Sequence, residues 1–497
     1  MRTTRIRYGA GADNGSTLLI ALMVMMLAAS LGAVVVKVAI NTNADSGVDR
    51  QRTVSINAAE AGIDSTYASI EGSGTSLPCV WPASGSYDVG AVPDPTAVTV
   101  GITYYDSSGA TLSCSGGILP ASVTPAHALI DSTAQLPRLA NAARSATRHM
   151  QSYVTLTPVL GRGLTKAVFG QSTIVASNQA SVNNGTAGDG NLYTNGNFTC
   201  SNQQSYQGSV IAPTGYIKLS NSCSVAGDVW AKTSIDTGSW NGHIGGRAIA
   251  SAGAITLSGS GDVTGTLQAG TTISYSGCSA PNKCFPNQST AAPVAPSQPF
   301  PHLLGDATTL SSTWAGDGWT IVVDSGACAS VVSRIAAAAA SASKTVFTTT
   351  CPVNFSSTSI SFNSDFALFT SAGITTSQHV TFQASATRNI YMIVPWNNYD
   401  GSLHTCPAGN VSFGNNFGTS YTPTVSLMTY TPCNLAYSNN NTGNNFGQLY
   451  AGGTVTISNN FGMTYQPLPL PSGALDPNYL PTLSYTVGIL YKRETTS

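Results

Sequence analysis

Five-residue segments that open with glycine recur at an interval of nineteen residues. Gly208-Ser-Val-Ile-Ala212, Gly227-Asp-Val-Trp-Ala231, Gly246-Arg-Ala-Ile-Ala250 and Gly265-Thr-Leu-Gln-Ala269 follow one another at that spacing, after a looser copy at Gly190-Asn-Leu-Tyr-Thr194. A second apolar cluster follows in each unit: Ile217 and Leu219, Ile235, Ile255 and Leu257, then Ile273. One turn of that length cannot bury its own apolar face. Stacking turns about 4.8 Å apart pairs every strand with the next and builds a continuous interior. A fixed period near twenty, with glycine at a corner and alanine and β-branched residues inside, therefore marks a parallel β-solenoid. The expected corners are Gly208, Gly227, Gly246 and Gly265, and the template returns at Gly447-Gln-Leu-Tyr-Ala451, so the solenoid is expected to resume after an interruption. Eight to twelve coils give a rod on the order of 40 to 60 Å.

The solenoid is expected over 166–470, with inserts near 278–301 and 327–343, and 471–497 as a C-terminal tail. Cys278 to Pro301 is rich in proline, serine and alanine and reads as an external strap, whereas Ala327 to Ser343 has high helix propensity and reads as a helix laid against the column. Asn389 to Trp396 reads as a buried strand. The tetrapeptide Asn-Asn-Phe-Gly occurs at 415–418, 444–447 and 459–462, with a structural ladder of asparagine and phenylalanine as the first reading and a sugar-binding surface as the second. Residues 73–165 read as a small β-rich module. Its expected strands are Ala97 to Tyr105, Ala126 to Asp131 and His149 to Thr157, and Asp106 to Gly109 makes a turn.

Charged residues are only 8% of the 497, with a net charge of −1, which excludes the basic surface that nucleic acid demands. Arg138, Arg144 and Arg148 of the small module are too few and scattered for an anion site. All ten cysteines follow residue 78, and an even count in an exported chain reads as disulfides. Neighbours in sequence give the candidate pairs Cys79 with Cys114, Cys200 with Cys223, Cys278 with Cys284, Cys328 with Cys351, and Cys406 with Cys433, although spacing does not fix connectivity. No cysteine pair has zinc-ligand spacing, and no metal or cofactor is expected. Solenoids include polysaccharide-cleaving enzymes, which need convergent carboxylates. The repeat region offers only Asp228, Asp236, Arg247 and Asp262, and successive copies of one offset make Asp228 and Arg247 a surface ion pair. An enzyme is not expected.

At the N-terminus, Arg2, Arg5 and Arg7 precede an uncharged apolar segment from Ser16 to Val36, long enough as a helix of roughly 30 Å to cross a bilayer. The basic flank predicts a cytoplasmic leader, 1–15, with the remainder exported. The membrane segment continues into a stem helix ending near residue 72. In that stem Ile56, Ala59, Ile63, Tyr67 and Ile70 form one apolar stripe with Asp45, Asp49, Arg50, Arg52 and Asp64 around it. The Gly15-Ser16 junction, placed before the apolar core, resembles the prepilin signal of type IV pilins and pseudopilins. The stretch Asp49 to Ile70, centred on Ala58-Ala59-Glu60-Ala61-Gly62, resembles the helix of PilX-type minor pilins. The likeness covers residues 1 to about 70 and fades by about 160.

That resemblance implies cleavage between Gly15 and Ser16 by a prepilin peptidase. It also implies partners among other pilin subunits and a membrane assembly platform, and a passage from single-pass precursor in the inner or cytoplasmic membrane to a filament at the cell surface. Most major pilins carry a glutamate at the fifth mature position, where this chain has Ile20, which implies a low-copy subunit at or near a filament tip. The expected fold is therefore mainly β: a long membrane and stem helix (16–72), a small pilin-like β module, then a parallel β-helix. The expected function is a minor pilin-like subunit displaying the solenoid for adhesion or assembly initiation. The alternatives are a solitary anchored surface protein that binds a glycan, cell wall or host ligand, and a secreted chain cut near Ala28 to Ala33.

Overall fold

The computed structural model describes residues 16–72, 77–82, 87–89, 96–120, 123–135, 147–161, 164–185, 189–279, 282–288, 297–414, 417–419, 425–438, 445–480 and 482–495. The chain divides into two compact units, Met1–Val159 with Thr482–Ser497, and Leu160–Pro481.

In the first unit a single helix, Ser16–Gly72, lies against an antiparallel sheet. The helix buries Ala58, Ala59, Ile63, Thr66 and Ile70, one face at spacings of three and four, onto the alternating inward residues of the sheet. The sheet order is Val80–Trp81, Thr96–Tyr105, His127–Gln135, Thr147–Leu160 and Thr482–Thr495. Ile102 pairs with Ile130, and Ile130 with Ser152. The last strand corrects an expectation, because the segment read as a C-terminal tail completes this sheet. Ser152 Oγ donates to Tyr491 O (3.0 Å), Thr155 Oγ1 to Gly488 O (3.1 Å) and Thr486 Oγ1 to Thr157 O (3.3 Å), an antiparallel run. The partner strand lies over three hundred residues earlier, so no local signal announced the pairing. The solenoid is accordingly an insertion within the small module.

The second unit is a parallel β-solenoid of about 13 turns with three faces. Among the described residues thirteen strands stack on the first face, from Thr320–Val323 at one end to Cys284–Phe285 at the other, a rod of about 58 Å at ~4.8 Å per step. Among the described residues the second face stacks eleven. Its interior column runs from Val353 through Leu435, Val455, Ile174, Phe198 and Ile235 to Ile273, each residue in register with the next turn's. All but Ile273 are buried, and burying such a side chain contributes about 1.5–3 kcal/mol.

The order of the turns is permuted. The chain enters at the middle, with Val168–Gly170, and builds toward Cys284–Phe285; it then re-enters at the far end with Thr320–Val323 and builds back to the middle. The Gly447 turn therefore resumes the stack at its middle and not at the Gly265 end. It stacks on the first turn, with Leu449 beside Val168, Val455 beside Ile174 and Met463 beside Val182.

Both ends are closed. At one, the helix Val331–Ala339 buries Val331, Ile335 and Ala339 in the column, and Arg334 Nε and Nη2 donate to the Asp324 carboxylate at 2.6 and 2.8 Å. At the other, the turn Ser276–Ser279 is tied by Cys278–Cys284, and Lys283 Nζ donates to the carbonyls of Val263 and Thr264. A charge on the last edge blocks further strand pairing. Between the ends, residues 297–319 cross the outside of the first face. Phe300 stacks on Tyr430 at 5.1 Å, Tyr430 Oη donates to Pro301 O and accepts from Leu303 N, and Trp314 packs edge-on against Phe369 and Tyr391. The strap thus extends well past Pro301. Beneath it, Thr345–Thr349, Phe366–Thr370 and Val425–Thr431 are buried on both sides.

Candidate functional site

Two surfaces of the chain have the character of sites. The first is the helix. Leu18–Asn43 is exposed throughout, has a mean hydropathy of 2.7 and is long and apolar enough to cross a membrane. Ser16 opens this helix and Val36 is 57% exposed; Gly15 lies outside the described residues. Ile20, at the fifth position after the expected cut, is exposed as well.

Farther along the same helix, the Ala58 to Gly62 motif has a plain packing logic. Ala58 and Ala59 face the sheet, and a side-chain carbon on Gly62 would come within 2.5 Å of Ser132 Oγ and 2.8 Å of Val98 Cγ1, so only glycine lets the backbones approach this closely. Ala61 is exposed and Glu60 turns to Lys492 of the last strand (2.8 Å), which Asp64 also holds at 2.9 Å. Partial burial pulls the Lys492 pKa down, but the two carboxylates outweigh it and hold it above the ordinary lysine value. Glu494 bridges Arg52 and Arg148, each at 3.7 Å. Arg138 and Arg144 lie outside the described residues.

The second surface is a corner of the solenoid. Where the chain leaves the second face for the third, successive turns place polar pairs in left-handed backbone: Asn178 and Gln179 (φ 54° and 60°), Asn202 and Gln203 (63° and 36°), and Asn459 and Asn460 (55° and 58°). Asn221 (φ 52°) and Ser222 continue the series. Asparagine tolerates this conformation because its amide bonds locally. An inner ladder follows the axis: Asn178 Nδ2 donates to Asn459 Oδ1 (3.2 Å), Asn202 Nδ2 to Asn178 Oδ1 (2.9 Å), and Asn221 Nδ2 to Asn202 Oδ1. In the outer row Gln179 Nε2 donates to Gln203 Oε1 at 3.1 Å. The eight residues line a shallow groove of about 570 Å³, with no charged or apolar side chain in its wall.

Sequence reasoning found one end of this site. Among the described residues the ladder takes in the 459–462 copy of Asn-Asn-Phe-Gly; Asn415, Asn416 and Asn444 lie outside the described residues. The phenylalanines do not form one stack. Phe417 and Phe461 are buried, whereas Phe446 pairs with Thr464, three positions beyond Phe461, and is only half-buried. The missed signal was the polar doublet at the end of four consecutive second-face strands: Asn-Asn, Asn-Gln, Asn-Gln and Asn-Ser in stacking order.

Glycines stand at the corners before the first face. Gly227 N donates to Gly208 O, Gly246 N to Gly227 O and Gly265 N to Gly246 O at 3.0–3.3 Å, and an added carbon at any of these three donors would meet the preceding turn within 2.6 Å. Gly447 occupies the same offset, with a φ of 146°. The charged candidates do not converge. Asp228 accepts from Arg247 Nη2 at 2.7 Å beside the first face, Asp236 lies on the second next to Lys218, and Asp262 lies on the third, 2.9 Å from His243. Among the described residues no cluster of three His, Cys, Asp or Glu could hold a metal ion. The cysteines form Cys79–Cys114, Cys200–Cys223, Cys278–Cys284, Cys328–Cys351 and Cys406–Cys433.

No family model matches the chain, and no curated protein matches it. Among solved structures it is similar to the competence-associated pilin ComZ from Thermus thermophilus at 12% identity and a TM-score of 0.31, over 89% of this chain and 97% of that one.

Proposed function

We propose that this chain is a subunit of a pilus-type filament. It is cut between Gly15 and Ser16 by a prepilin peptidase, held in the membrane by its apolar helix, and packed through that helix against other subunits on an assembly platform. The observation that carries this reading is the division of one continuous helix: Leu18–Asn43 is exposed and apolar, and the half from Ser55 on is fastened to a sheet. A soluble chain gains nothing from so long an uncovered apolar helix, whereas a membrane precursor and a helical filament core both bury it. Ile20 in place of an acidic residue suits a low-copy position at or near the tip, where no neighbour's terminal amine needs a carboxylate. The solenoid is then the displayed, non-catalytic part, and its candidate carboxylates Asp228, Asp236 and Asp262 stand on separate faces.

The test is mass spectrometry of the mature N-terminus after co-expression with a prepilin peptidase. A terminus at Ser16, lost in Gly15→Leu, is the expected result. An intact leader makes the protein a solitary surface anchor, and a terminus inside the apolar run makes it a secreted one.

A further inference from the structure

The amide groove at the corner of the solenoid has a chemistry that its structural duty does not require. Holding turns together is the work of the inner ladder from Asn459 to Asn221, whose amides bond one another along the axis. The outer row is different. Gln179 and Gln203 occupy left-handed backbone at φ 60° and 36°, a conformation that favours glycine or asparagine and that glutamine rarely adopts. Strain of this kind persists where a side chain is wanted for another purpose. Among the described residues Gln179 Nε2 is engaged with Gln203 Oε1, whereas Gln203 Nε2 and Gln179 Oε1 make no hydrogen bond.

We propose that this groove binds a neutral polysaccharide chain laid along the rod, with the polar pair of each turn (two amides in three turns, Asn221 and Ser222 in the fourth) exchanging hydrogen bonds with its hydroxyl groups. Three features select that class. The wall carries no charge, so neither an anionic nor a cationic polymer finds a counterion. Amides offer a donor and an acceptor side by side, which matches a hydroxyl's own pair of roles. The amides repeat once per turn, about 4.8 Å apart, close to the advance of one sugar in an extended β-linked chain. An extended peptide would share the backbone-like hydrogen bonding, but its side chains would meet no apolar or charged recess here. The proposal deepens the reading of the solenoid as the displayed part and rests on that reading for its access to such a polymer.

The test uses the full chain in detergent, with calorimetric titration of cellohexaose and chitohexaose. A polygalacturonate oligomer and a glycine-serine peptide serve as charged and peptide controls. The decisive variant is Gln179→Gly with Gln203→Gly, which removes the outer amides and relieves the backbone at once. The expected result is binding of a neutral hexasaccharide that weakens at least about tenfold in the double variant while Tm stays level or rises. No binding of either neutral sugar, unchanged binding in the double variant, or preference for the peptide or the polygalacturonate each overturns the proposal. The mature N-terminus is measured separately. Sugar binding by a chain that keeps its leader would sink the filament reading alone, and a terminus at Ser16 without sugar binding would sink this one alone.

Discussion

Turns of the solenoid between Val210 and Leu267 are uniform, whereas those between Phe366 and Gly447 are not. In the first stretch Val210 pairs with Val229, Val229 with Ala248 and Ala248 with Leu267, nineteen residues each time. In the second, Phe366 pairs with Ile390, Ile390 with Leu427 and Leu427 with Gly447, at intervals of 24, 37 and 20. Both halves share one interior column, so the fold tolerates any turn length provided the inward residues stay in register. The irregular half has gained a second, outer core instead. Its first-face strands are covered by the strap, with Trp314, Phe369, Tyr391 and Tyr430 all buried. Regularity belongs to the half held mainly by stacking, and irregularity to the half that is also roofed.

The largest effect expected is at the meeting point of the halves. Ile174→Asp places a carboxylate in the dry column beside Val455 and Phe198 and should cost more than about 5 kcal/mol. Hydrogen exchange should show protection vanishing in both halves together; survival of the Val229–Ala231 strand alone would make the halves independent. Next is Trp314→Ala, which should cost about 4 kcal/mol by opening the outer core. Exchange should rise at Thr345–Thr349 and stay unchanged at Val229–Ala231, and equal loosening of both would erase the distinction.

A smaller effect concerns pH. His302 is stacked between Trp396 and Tyr479 at 3.5 and 3.4 Å, and burial lowers its pKa from 6.5 to about 4, with Asp476 opposing. Between those values the unfolded chain binds a proton that the folded chain does not, so stability falls as pH drops from about 6.5 to about 4 and levels off below. Thermal melts should show a loss of up to about 3 kcal/mol across that window, absent in His302→Phe. The smallest effect compares two glycines of the uniform half. A methyl on Gly227 meets Ser209 Oγ at 2.6 Å, and one on Gly238 meets nothing nearer than 3.7 Å. Gly227→Ala should therefore cost about 1–2 kcal/mol and Gly238→Ala less than about 0.5 by denaturant titration.

What was legible in the sequence follows the same division. Gly208, Gly227, Gly246 and Gly265 betrayed the uniform turns because each must clear the backbone of the turn before it, a demand that repeats with the chain. The pairing of neighbouring cysteines was legible for a similar reason, since consecutive turns bring residues about twenty apart side by side. The permutation was not, because the contact between Ile174 and Val455 leaves no trace in either local pattern. Thr482–Thr495 was hidden likewise, its partner fixed by the rest of the sheet. The groove was half visible: the last asparagine pair was noticed, but glutamine carries no turn signal, and its left-handed backbone emerges only once the corners are stacked.

The permuted order also sets a timetable. Synthesis delivers Val168–Gly170 early and its neighbour Asn445–Ala451 almost three hundred residues later. Until then one edge of the first-made turn has no strand to pair with, and long-range pairing of this kind is slow. The newborn chain must therefore keep its oldest turn unsatisfied until its youngest arrives, so a ribosome that stalls anywhere in between releases a half-rod with an open, adhesive edge.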